Sequence, residues 1–220
     1  MLQQVYEGIP ADLTLEKAEE WVRPRTSEKR FHHVRGVAEV ARELAEESGC
    51  DVFLAELAGW LHDACKEHKD KELVREAEEF GLELTSVDRM NGHLLHGPVA
   101  AETIKRDLGV TNKLVLDAIR EHTLGAVNMT DLSKVVFLAD CLEASRPTDY
   151  TDPIWDALHQ GRTKKKAKKD HEPPDLDKAI LVASDSGLMQ LLESGRVIHP
   201  KTVDVRNFYL QVIRERDKNS

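Results

Sequence analysis

The chain has 220 residues, of which 40% are hydrophobic and 32% charged, with a formal net charge of -9 at pH 7. That balance suits a well-cored soluble domain rather than a disordered chain, and no apolar run approaches the roughly 20 residues of a membrane-spanning helix. The negative charge repels nucleic acid and free nucleotides at long range, so a phosphate site here needs local cations: a metal, or placed Lys and Arg.

Apolar residues recur at helical spacing almost throughout, with no sustained alternation of a strand, so the expected fold is all-α. A short segment around Leu13 to Val22 ends at Pro24. The next helix carries Val34, Val37, Ala38, Ala41, Leu44 and Ala45 and stops near Gly49, and another carries Leu54, Leu57, Ala58 and Leu61. Leu73, Ala77 and Phe80 mark a third, ended by Gly81. Pro98, a favoured first-turn residue, opens a helix running through Val99 and Ile104 to Gly109. Two more carry Val115, Ala118 and Ile119, then Leu132, Val135, Val136 and Ala139. Past Pro147 the pattern weakens, resuming at Ala179, Ile180, Ala183 and Leu191 before Gly195, with a last helix through Val205, Phe208, Tyr209 and Val212.

The interruption holds Arg162, Lys164, Lys165, Lys166, Lys168 and Lys169, and reads as a mobile solvated loop over about 160–174. A nucleic-acid contact is the weaker reading, since no aromatic residues interleave to stack bases. With no linker dividing the chain, residues 1–220 read as one domain, with a core over about 28–146 and C-terminal helices over about 175–214. Cys50, Cys65 and Cys141 are odd in number and form no C-x-x-C pair, so neither a disulfide framework nor a thiolate zinc site is expected. The N-terminus lacks the basic start and apolar block of a signal peptide, which sets a cytoplasmic expectation.

Among the 10 histidines, position discriminates. His33 lies four residues before Val37, His62 four after Ala58, and His122 four after Ala118, so each continues a buried stripe. Asp140 follows Val136 by four, where a carboxylate needs a cation or hydrogen bonds to offset desolvation. His96 precedes the Gly97-Pro98 helix start. Taken singly, each is more often a hydrogen-bonded core residue than a ligand. Together, four imidazoles with Asp63 and Asp140 on inward faces of successive helices are what a bundle needs to hold metal. Nitrogen and oxygen donors without thiolate suit iron, manganese, cobalt, nickel or zinc and do not choose among them.

Neighbouring helical side chains diverge by about 100°, so His62 and Asp63 share a centre only at a helix edge, where the aspartate could bridge two ions. Lys66, four residues on from His62, brings an ammonium beside the centre to bind phosphate oxygen or protonate a leaving group.

The ordered segments Arg30-Phe31-His32-His33, Leu61-His62-Asp63-Ala64-Cys65-Lys66, Leu95-His96-Gly97-Pro98-Val99, Ala118-Ile119-Arg120-Glu121-His122-Thr123 and Leu138-Ala139-Asp140 resemble the HD superfamily. The H-G-P-V, the H-T after A-I-R, and the late Val197-Ile198-His199-Pro200-Lys201-Thr202 with Arg206-Asn207 resemble its YqeK-type symmetrical bis(5'-nucleosyl)-tetraphosphatase branch, over roughly Glu28 to Leu210. The resemblance implies an all-α HD-domain helical bundle with a metal site between helices, where His33, His62, Asp63 and Asp140 bind iron or a substitute ion. His96 and His122 complete a second metal position or hold phosphate. Asp63, Lys66, His96 and His122 are the implied catalytic set, and Arg30, Lys66, His96, His122, Thr123, Asp140, Arg146, His199 and Thr202 the implied substrate contacts.

The implied reaction splits diadenosine tetraphosphate into two ADP, with one or two divalent ions as cofactor and a nucleotide as the small-molecule partner; a homodimer is left open. Other HD phosphohydrolases, acting on mononucleotides, deoxynucleoside triphosphates or cyclic dinucleotides, are the enzymatic alternative. A non-catalytic RNA- or ribosome-binding adaptor is the alternative from another class. The sequence departs from the branch in its longer lysine-rich segment and in Glu143-Ala144-Ser145-Arg146, which replaces the usual E-P-N-R turn.

Overall fold

The computed structural model describes residues 6–160 and 172–219, and within them the fold is eleven α-helices with two 3-10 turns and no strand. The first helices are α1 (Leu15–Val22), α2 (Glu28–Ser48), α3 (Val52–Leu61), α4 (Asp70–Glu79) and α5 (Ser86–Met90). They are followed by α6 (His96–Leu108), α7 (Lys113–Glu121), α8 (Asp131–Leu142), α9 (Thr148–Leu158), α10 (Leu176–Glu193) and α11 (Pro200–Lys218). Among the described residues, no helix is long and apolar enough to cross a membrane. The cysteines are free thiols. The expected lysine-rich loop, Arg162 to Lys169 included, lies outside the described residues except at its edges.

Local chemistry sets the helix ends that matter for the site. Ser27 caps α2, its hydroxyl accepting from the Arg30 N–H, and Gly49 ends the helix in the left-handed conformation at φ 76°. Asp51, Asn112 and Thr130 cap α3, α7 and α8 in the same way. Between the caps, α2 turns Val34, Val37, Ala38, Ala41 and Leu44 inward with no exposed area, packing on α3 and α8.

Two glycines let helices approach until backbones touch. A Cβ on Gly59 would lie 2.7 Å from Ala38 Cα, so α3 rests directly on α2. One on Gly97 would lie 2.8 Å from the Ile119 carbonyl oxygen and 3.1 Å from the His122 ring, so α6 closes onto α7 in the same manner.

Three elements differ from the expectation. The helix expected at Pro98 begins at His96, because the 3-10 turn Gly92–Leu95 winds straight into it. The short α5 rests on a capping box in which the Thr85 hydroxyl accepts from the Asp88 N–H and the Asp88 carboxylate accepts from the Thr85 N–H. The weak stretch after Pro147 is α9: Pro147 is its cap, and burial of Ile154, Ala157 and Leu158 outweighs the backbone hydrogen bond lost at Pro153. The C-terminal α10 packs on α8, α9 and α11, and the buried Tyr209 hydroxyl of α11 accepts the Met129 N–H at 3.2 Å.

Candidate metal centre

Six side chains converge where α2, α3, α6, α7 and α8 meet: His33 from α2, His62 and Asp63 from the end of α3, His96 from the start of α6, His122 from the end of α7, and Asp140 from α8. His62 is the C-cap of α3, and Asp63 stands in the following turn, where the Lys66 N–H donates to the Asp63 carbonyl. The two diverging side chains therefore share one centre because the helix stops between them. Lys66 reaches the site through this turn, not along a helix face.

Backbone carbonyls orient three of the imidazoles by one device. The Nδ1–H of His62 donates to the Gly59 carbonyl at 2.7 Å, that of His96 to the His93 carbonyl at 2.5 Å, and that of His122 to the Ile119 carbonyl at 2.8 Å. Each acceptor lies three residues back at a helix or 3-10 end, where carbonyls lack intrahelical partners. Every such ring carries its proton on Nδ1 and turns the Nε2 lone pair inward, the form a metal ligand needs. His33 differs: its Nδ1 faces a carboxylate oxygen of Glu143 at 3.0 Å.

Asp63 joins the two halves of the cluster. Its Oδ1 is 3.2 Å from His96 Nε2 and 3.5 Å from His122 Nε2, while its Oδ2 is 3.6 Å from His62 Nε2 and 3.8 Å from His33 Nε2. Three sets each bring their ligand atoms within 4.8 Å of one another: His33, His62 and Asp63; His62, His122 and Asp140; and Asp63, His96 and His122. The Nε2 atoms of His33 and His62 are buried without a hydrogen-bond partner. Orphaned imidazole nitrogens beside two carboxylates fit a divalent cation, which would take their lone pairs.

Electrostatics agree with a cation site. Burial pushes the His62 imidazole down to about 3, so it is neutral at physiological pH. Burial alone would raise Asp63, but the neighbouring His62, His122 and His96 hold its carboxyl well below the usual range. For Asp140, His33 and Arg146 likewise overcome burial and lower it. Burial lowers the Lys66 ammonium.

Besides His96, His122 and Asp140, four more of the expected substrate contacts sit at this centre. Arg30 donates from Nη1 to Asp63 Oδ2 at 2.8 Å, and Arg146 donates to the Asp140 carboxylate at 2.6 Å and to its carbonyl at 3.0 Å. Lys66 Nζ lies 3.3 Å from His96 Nε2, and the Thr123 hydroxyl lies 3.0 Å from both His96 Nε2 and His122 Nε2. Arg30, His33 and Arg146 open onto a cleft of about 810 Å³ whose other walls include Lys29, His32 and Ser145. His199 and Thr202 are placed differently. His199 Nε2 faces Asp88 Oδ1 at 3.3 Å and its Nδ1 accepts the Lys201 N–H, while Thr202 stands in the first turn of α11. Glu143 is a site residue that helical periodicity does not reach; its signals in the sequence are a carboxylate three residues past Asp140 and its place at the head of the turn that ends at Arg146.

A model of the HD domain matches residues 30–145, the span that carries all six converging side chains. The chain belongs to the HD-domain family. Within that family it is similar over most of its length to proteins named symmetrical bis(5'-nucleosyl)-tetraphosphatase. It is 35% identical to the one from Staphylococcus aureus, over 90% of this chain and 95% of the relative. With that of Bacillus subtilis it shares 31% identity over 85% of this chain and 92% of the relative. Among solved structures, it resembles an HD superfamily hydrolase from Clostridium acetobutylicum, described as involved in NAD metabolism, with a TM-score of 0.78 and 29% identity over 90% of this chain and 98% of that one. The HD-domain fold expected from the ordered motifs is thus the fold observed, with its histidine and aspartate cluster between helices.

Proposed function

We propose that this HD-domain protein is a symmetrical dinucleoside tetraphosphatase that opens the central phosphoanhydride of diadenosine tetraphosphate to release two ADP. The observation that carries the reading is the shared name of relatives matched over about nine-tenths of both chains, 35% identical in the first case.

His33, His62, Asp63 and Asp140 would hold a divalent transition ion, and His96 and His122 would hold a second ion or the phosphate itself. Iron is our choice of ion on the family resemblance, with manganese, cobalt, nickel and zinc as substitutes. Such an ion supplies Lewis acidity, polarising phosphate oxygens and activating water.

The chain's own residues supply the rest. Arg30, Lys66 and Arg146 gather positive charge around the bridge, which a protein of net charge -9 cannot attract from a distance. Asp63 and Asp140 anchor Arg30 and Arg146, so both guanidinium groups are set before substrate arrives. Water adds to one of the two central phosphorus atoms and the bridging P–O bond breaks. The leaving ADP departs as a phosphate anion and needs only modest protonation, for which buried Lys66 and the Thr123 hydroxyl are placed. His199 and Thr202, at the start of α11, are assigned to the nucleoside end of the substrate on the family resemblance.

The test is chromatography of products from a panel of dinucleoside polyphosphates, run with iron, manganese and cobalt in parallel. ADP alone from diadenosine tetraphosphate is expected. AMP with ATP, or orthophosphate from mononucleotides, overturns the reading in favour of another HD phosphohydrolase.

A further inference from the structure

Glu143 is buried at the point where α8 ends and the chain turns away in extended conformation, φ -57° and ψ 142°. Its carboxylate accepts three hydrogen bonds. Oε2 takes those of His33 Nδ1–H at 3.0 Å and the Ser145 hydroxyl at 2.5 Å, and Oε1 takes the Ser145 N–H at 2.9 Å. The side chain has no spare room, since a Cβ on Gly36 of α2 would lie 2.7 Å from Glu143 Cγ and 2.9 Å from Oε1. Gly36 stands one turn along α2 from His33, so its missing side chain is the space through which the carboxylate reaches that ring.

The other three imidazoles of the cluster are oriented by main-chain carbonyls at helix ends. His33 lies inside α2, where carbonyls are committed to the helix, so its orientation must come from another segment. The same four-residue turn ends at Arg146, whose guanidinium holds Asp140. One short turn therefore grips a ligand on α2 and a ligand on α8.

We propose that Glu143 is a positioning residue for the metal, fixing His33 with its proton on Nδ1 and its Nε2 lone pair toward the ion, with Gly36 conserving the space this requires in the fold. The inference rests on the proposed metal-dependent hydrolase reading. A glutamine at 143 is a poor substitute on geometric grounds. With its oxygen toward Ser145 N–H, its amide NH2 faces His33 Nδ1, which then becomes the acceptor and moves the ring proton to Nε2. With the oxygen toward His33, the NH2 meets the Ser145 N–H.

The experiment is Co²⁺ titration of the metal-stripped full-length protein, followed by visible absorbance and chelator competition, for wild type, Glu143→Ala, Glu143→Gln and Gly36→Ala. Loss of such an outer-shell partner costs about 10–100-fold in metal affinity, and all three variants are expected to weaken Co²⁺ binding in that range. Gly36→Ala is the decisive variant, since it removes no polar group and acts by displacing the Glu143 carboxylate, and the helix preference of alanine, about 1 kcal/mol, offsets part of the overpacking. If Glu143→Ala does not fold, Gly36→Ala still decides. Unchanged Co²⁺ affinity in Gly36→Ala and in whichever Glu143 variant folds overturns the proposal while leaving the hydrolase reading intact. Failure of the wild type to bind any Co²⁺ overturns both.

Discussion

Arg30 and Asp63, 33 residues apart in the chain, meet through a 2.8 Å hydrogen bond from the guanidinium to Oδ2. The aspartate is buried and the arginine opens onto the cleft, so one ion pair connects the interior cluster to the cleft surface. A charge-assisted bond of this kind is directional and shorter than a neutral one, and only the planar fork of arginine can hold the carboxylate and still present free N–H groups outward.

Arg30→Ala removes both functions. Turnover of diadenosine tetraphosphate should fall by about 10–100-fold, the usual cost of losing a partner to a ligating carboxylate, the role proposed for Asp63, with KM raised through loss of the proposed phosphate contact. Arg30→Lys should recover metal content more than KM. Steady-state kinetics with metal analysis of each preparation checks this, and an unaltered KM in Arg30→Ala would remove Arg30 from the substrate site.

Lys66 is held in the turn beyond Asp63, 3.3 Å from His96 Nε2, in surroundings that lower its pKa through burial. Lys66→Met keeps the length of the chain and deletes the ammonium. The expected result is a loss in kcat of about 10²–10⁴-fold, the range for a positioned proton donor, with metal content as in wild type. Equal loss of metal and activity would instead make Lys66 a structural member of the cluster.

The depressed His62 gives a signed dependence of apo stability on pH. Its ordinary value is 6.5 and its folded value about 3, so below 6.5 the unfolded chain takes up a proton that the folded chain refuses. The stability this group contributes is fully present above 6.5 and is lost as pH falls toward 3. Denaturant melts of the metal-stripped protein between these limits should show a steeper decline for wild type than for His62→Asn; parallel curves would refute the buried neutral imidazole.

Gly59 and Gly36 both lie under close contacts but differ in what an alanine Cβ would meet, backbone at Gly59 and the Glu143 side chain at Gly36. At Gly59 the added Cβ meets backbone, 2.7 Å from Ala38 Cα, which can yield only by separating α3 from α2. Overpacking of that kind costs about 1–3 kcal/mol. Chemical denaturation of Gly59→Ala should show that loss together with weaker metal retention, since α3 carries His62. A variant as stable as wild type would mean that the helices have slack at this seam.

Much of the centre was legible because its chemistry sits on regular spacing. His33, His62, His122 and Asp140 each extend an apolar stripe by a turn, and the glycines that end α2 and α6 are local signals. What escaped lies where spacing stops. Glu143 follows the end of α8 and finds its partner 110 residues away, so no window of sequence contains both. The helix α9 is capped by Pro147 and interrupted by Pro153, which mask its periodicity, and the packing of Ile154 and Leu158 reveals it. Helical spacing puts Lys66 beside the centre, and a turn is what carries it there. The contacts of His199 with Asp88 join α11 to α5, elements with no shared motif.

The carbonyl bonds that seat His62, His96 and His122 carry an implication for how this centre tolerates change. Because the acceptor is main chain, residues 93 and 119 can drift in identity, within the limits of packing, without releasing the ring above them, whereas position 59 is held to glycine by its contact with Ala38. Three of the four imidazoles therefore take their alignment from main chain, which no comparison of side chains would reveal. The vulnerability is concentrated in the fourth ring, whose alignment hangs on a replaceable residue, and it is there that divergence among related proteins would first retune the hold on the ion.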